Sequence, residues 1–208
     1  MDAIEIGRLL RASTSACVVG CRVSQVEAPA FGSLVRIPLP GSDYQIFGMI
    51  YDIHIDDDGL VRQLVTADGV DDDVISDNRQ NRNVPLEMSV LAIGYRQNGQ
   101  IYHLLPPRPP LSLDVICLGN AEEVCAFTGA GRFGYFRHLL RAADLPLGEL
   151  LAAHIQQTQA CQCASGNPGW AAAATQELIT LLRDDYARLM DVLSGVSEIY
   201  AFEGGYNV

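Results

Sequence analysis

The chain has 208 residues, 49% of them hydrophobic and 19% charged, a composition that buries a core as one large domain or two small ones. Its net charge of −11 argues against a direct nucleic-acid surface, because phosphate contacts need clustered Lys and Arg. All 14 basic residues are Arg, so a P-loop lysine, Schiff-base chemistry and pyridoxal phosphate attachment are excluded.

The first residues carry acidic side chains where a signal peptide needs basic ones, and no apolar run approaches the roughly 20 residues of a membrane span. The expected location is the cytoplasm, without membrane insertion. Strands are then expected over 4–10, 16–23, 33–39, 44–55, 86–96 and 100–105, rich in β-branched and aromatic residues and separated by turn formers. Asn98-Gly99 between two apolar runs is the strongest hairpin signal. Residues 90–95 are apolar without alternation, so both faces of that strand should be covered.

Between the fourth and fifth strands, Leu60, Val61, Leu64 and Val65 recur at helical spacing, and three Asp open a polar stretch that ends in Arg. This predicts a short helical insertion over 60–83. Its Arg62, Arg79 and Arg82 are candidate partner contacts, since Arg is favoured at interfaces; pairing with the neighbouring Asp residues is the plainer reading. The acidic runs do not fit a calcium loop: with Asp56 and Asp58-Gly59 aligned, Val65 falls where a bidentate Glu belongs.

Pro106-Pro107-Arg108-Pro109-Pro110 must be extended and reads as a rigid connector at the exit from the sheet. A short strand over 113–118 follows, then helices over 133–143, 147–159 and 171–193. Strands first and helices after give an α+β class: a small closed β-barrel over 1–110 and a helical region over 111–208.

Gly129, Gly131 and Gly134 form a GxGxxG pattern, the one candidate nucleotide loop, with Asp144 nearby as a possible base. It follows what looks like a capped helical turn at Asn120, not a strand, and no βαβ alternation embeds it, so a loop before a helix is the favoured reading. His54, His103, His138 and His154 stand in no catalytic or metal frame, and no nucleophile elbow is present. Cys17 and Cys21 share a strand face too far apart to bridge, and Cys161-Gln162-Cys163 lacks zinc-site spacing. No metal and no cofactor are expected.

Ile6-Gly7-Arg8-Leu9, Phe31-Gly32-Ser33-Leu34-Val35 and Gly48-Met49-Ile50-Tyr51-Asp52-Ile53 resemble the strand motifs of the HAS-barrel, the small barrel of HerA-type ATPases and of ATP synthase subunits. The whole chain is similar to stand-alone bacterial forms that lack the ATPase core. The resemblance implies a non-catalytic adaptor for a HerA- or FtsK-like ATPase, or a homo-oligomeric ring, and predicts an exposed apolar patch. The other function class is a small-molecule or nucleotide-binding enzyme built on the 129–134 loop.

Overall fold

Alternation of buried and exposed side chains organises the first half of the chain, and helical periodicity the second. The computed structural model describes residues 4–21, 29–39, 41–55, 73 and 86–204. Its strands are β1 (Glu5–Ala12), β2 (Ala16–Cys21), β3 (Leu34–Pro38), β4 (Gln45–Ile55), β5 (Leu86–Gln97), β6 (Gln100–Tyr102) and β7 (Val115–Leu118). Helices α1 (Ala121–Gly129), α2 (Phe136–Arg141), α3 (Leu147–Ala164), α4 (Trp170–Leu182) and α5 (Tyr186–Gly204) follow, with a 3-10 turn at Gly131–Phe133.

Every strand pairing is antiparallel. The order β2-β1-β7-β3-β4-β5 is closed by pairing of β5 with β2, which gives a six-stranded barrel. This is the α+β arrangement expected, an N-terminal closed barrel followed by helices. The short strand β7 completes the ring between β1 and β3, so the barrel draws on the chain as far as Leu118. The insertion expected over 60–83 lies outside the described residues, apart from Asp73.

β5 bends away from β2 beyond Leu91 and takes β6 as a new neighbour. Asn98 and Gly99, at φ 53° and 74°, make the tight turn their sequence signals. Two apolar layers result. Inside the barrel, Ile6, Leu9, Val19, Val35, Ile46, Ile50, Met88, Val90 and Ile116 pack together. On its outside, Leu34, Phe47, Met49 and Ile93 pack against Phe127, Phe136, Leu150, Leu151 and Trp170 of the helices. The absence of alternation in β5 follows: Val90 and Ala92 face inward while Ile93 faces the helices.

Asn120 caps α1 with a reciprocal pair of bonds, its side chain accepting from the Glu123 amide and Glu123 accepting from the Asn120 amide. The other Glu123 oxygen lies 2.8 Å from Nε of Arg36 on β3, so one side chain both starts the helix and fixes it to the barrel. The helix expected over 171–193 is two helices. Asp185 breaks it: its side chain accepts from the Arg188 amide at 3.2 Å, the bond of an N-cap, and α5 begins there. The helix expected over 133–143 is shortened to α2, because Arg132 and Phe133 take left-handed backbone angles before it. Among the described residues, no helix is long and apolar enough to cross a membrane.

Candidate functional site

Arg62, Arg79 and Arg82 lie outside the described residues. The 129–134 loop can be placed. Gly129 ends α1, Gly131 starts the 3-10 turn at φ 57°, and Gly134 leads into α2. The element ahead of it is a helix, whereas a dinucleotide fingerprint follows a strand. Gly131 and Gly134 serve a packing need. A Cβ on Gly131 would lie 2.8 Å from Nδ1 of His103, and one on Gly134 would lie 3.3 Å from the same atom. The loop is folded down onto the imidazole.

His103 is the centre of a buried polar layer between barrel and helices. Its Nε2 lies 3.0 Å from the Phe127 carbonyl, and its own carbonyl accepts from Arg137 and from Nε2 of His138. Burial pushes its pKa down, opposed in part by the Phe127 carbonyl. Nearby, the Tyr135 hydroxyl is 3.0 Å from Nε2 of His154, and Nδ1 of His154 is 3.3 Å from the Gly32 carbonyl. A carbonyl can only accept, so Nδ1 carries the proton and Nε2 accepts from Tyr135. Burial drives His154 down to about 4, and it also pushes Tyr135 well up. Both groups are neutral at physiological pH, fully hydrogen-bonded, and remote from solvent. Ser33, Gln157 and the Phe31 carbonyl add two more bonds across the same seam. The layer docks helix α3 on the turn before β3.

The other chemistry-bearing residues are dispersed. His54 pairs with Asp52 at 2.9 Å on the outside of β4. Cys17, Cys21 and Cys117 are buried in the barrel, and burial pushes Cys17 up to about 12. Asp144 stands at φ 58° in the α2–α3 loop. Among the described residues, no group of three or more His, Cys, Asp or Glu could hold a metal ion. A pocket at the barrel mouth has a free volume of about 10 Å³, room for roughly one water. Pro106 and Pro110 close that mouth, together with Ser13, Ala16, Ile37, Ile46 and Val90. The proline segment is thus a strap across the end of the barrel as well as its exit.

The strap brings a second feature to the surface. Leu111 and Leu113, just after it, are 72% and 68% exposed, and Leu10 on the adjoining β1 is also exposed. The segment is pinned to β1 by the Leu113 amide donating to the Leu9 carbonyl (2.8 Å) and by Arg8 donating to the Leu113 carbonyl (3.1 Å). Within it, the Leu111 amide donates to the Asp114 carboxylate at 2.8 Å. Leu113 is held at φ 71°, a left-handed conformation that favours Gly or Asn and that a γ-branched residue rarely adopts. Leu104 and Leu105 are exposed at the other end of the strap. These leucines escape a sequence reading that searches for charge or motif. The available signal was Pro110-Leu111-Ser112-Leu113, two large apolar residues just after a proline segment with no partner assigned.

The sequence matches no model of a known protein family, and no curated protein shows a significant similarity to it.

Proposed function

We propose that this protein is a non-catalytic binding and assembly module of the cytoplasm, built on a HAS-like barrel. It joins a partner ATPase of the HerA or FtsK type, or copies of itself, through the leucines around the proline strap. The observation that carries this reading is Leu113. Folding alone favours burial of a leucine and disfavours a positive φ; here the chain holds a strained leucine in solvent beside Leu10 and Leu111. Such a side chain gains its burial only when a second surface covers it. The lack of lysine removes a P-loop from the chain, and among the described residues the pocket at the barrel mouth has room for roughly one water.

The test is a double variant, Leu111→Asp with Leu113→Asn, compared with the wild type by light scattering and by affinity capture from native lysate. Asn suits the positive φ, so the fold should be kept, with an unchanged circular dichroism spectrum. Loss of two buried leucines from an interface should weaken association by roughly tenfold or more. Unchanged association in a folded variant would remove the strap leucines from the interface.

A further inference from the structure

The six cysteines divide by position: three are buried in the barrel, and Cys125, Cys161 and Cys163 lie where α1 meets the C-terminal end of α3. Sγ of Cys125 is 3.1 Å from Oγ of Ser165. Ser165 ends α3, and its amide donates to the Cys161 carbonyl at 3.0 Å, one helical turn back. Positions four apart lie side by side on a helix, about 5–6 Å between Cβ atoms. Cys161 therefore stands beside the residue that Cys125 already touches. Gln162, the next residue along the helix, donates to the Cys125 carbonyl and to Oγ1 of Thr128, which holds the two helices at that spacing. Cys163 is two residues from Cys161 and turned away from α1; Gln159, which bonds the Pro168 carbonyl and the Ala171 amide, donates to its sulfur.

We propose that Cys125 and Cys161 form a reversible disulfide that staples α1 to α3. The oxidant is a small disulfide such as oxidised glutathione. The Cys125 thiolate attacks one glutathione sulfur, the glutathione S–S bond breaks, and one glutathione thiolate leaves. The Cys161 thiolate then attacks the Cys125 sulfur, and the second glutathione leaves. The two protein thiols lose two electrons to the oxidant, and their two protons end on the two released glutathiones. Burial raises the Cys161 thiol, and the nearby Cys125 raises it further, which suits Cys161 to the later, resolving step. The bond closes the chain from α1 across α2 into α3 and holds Phe127, whose ring packs at a tilt against Phe47 of the barrel, centroids 4.6 Å apart.

The test incubates the full chain with oxidised glutathione, blocks free thiols and maps peptides without reduction. Cleavage after Glu123 and Arg132 isolates Cys125 from Cys117. The expected product is a cross-link from that peptide to the one bearing Cys161, kept in Cys163→Ser, lost in Cys161→Ser, and reversed by dithiothreitol. The oxidised chain should also melt several degrees higher than the reduced one. Recovery of only glutathione adducts, a Cys161–Cys163 bond, or a Cys125 cross-link that survives Cys161→Ser would overturn the proposal.

Discussion

His154 shows how a single side chain can hold the helical layer to the barrel. Above pH 6.5 it is neutral whether the chain is folded or unfolded. As pH falls below 6.5 the unfolded chain takes up a proton that the folded site refuses until about 4. Stability should therefore be full above 6.5 and decline between 6.5 and 4, by an amount on the order of 3 kcal/mol from this residue. Denaturant titrations at a series of pH values check this, and His154→Gln should flatten that part of the profile. Tyr135→Phe leaves Nε2 of His154 buried without its donor and should cost about 1–3 kcal/mol, measured the same way. A thiol held near 12 in the barrel is inert, so iodoacetamide at about pH 8 should label exposed Cys163 and spare Cys17 until the chain is denatured. At this scale the sequence was least informative. Nothing in the spacing of His103, Tyr135 and His154 says that they share one layer, because the strand-and-helix topology that gathers them is not a local property. Leu113 was hidden for a related reason: a left-handed leucine is imposed by the bonds of its segment to β1.

At the scale of elements, local chemistry was legible wherever it was complete within a few residues. The Asn98-Gly99 turn and the Asn120 cap are both where the sequence signals them, since each closes its own hydrogen bonds. The capping box also ties α1 to the barrel through Glu123 and Arg36. Asn120→Ala should accordingly cost about 1 kcal/mol or more in denaturant unfolding. The break between α4 and α5 was just as local. The apolar stripe running on from Leu178 to Leu193 concealed it, but Asp185 followed three residues later by the amide it caps is a start signal. The GxGxxG pattern was the reverse case, a motif with the right letters and the wrong neighbours. Gly131→Ala, which would need a positive φ and bring a Cβ against His103, should destabilise the fold by roughly 1–3 kcal/mol, a role that needs no bound nucleotide.

The barrel and the helices share one structure because the outside of β3, β4 and β5 carries a second apolar layer, Leu34, Phe47, Met49 and Ile93. Gly94 makes this closeness possible: a Cβ there would lie 2.7 Å from the Phe127 ring. A chain cut after Leu118 would expose Phe47, Met49 and Ile93 on one face, and it should aggregate more than the full chain does, as read by light scattering. The α+β order was legible in the change of period from two to 3.6, and the double-sided burial of β5 in its unbroken apolar run. The closing role of β7 was not, because a four-residue strand far along the chain has no local mark of its partners. The proposal belongs to this scale too: the proline strap crosses the mouth of the barrel, and we propose that the exposed leucines beside it, Leu113 strained among them, meet a second surface. Affinity capture from native lysate by the tagged wild type and by the Leu111→Asp, Leu113→Asn variant, quantified side by side, tests it most directly. The account predicts that the wild type retains an ATPase subunit or untagged copies of the chain and that the folded variant loses them. Equal capture by both proteins, or neither of these partners with the wild type, would contradict it.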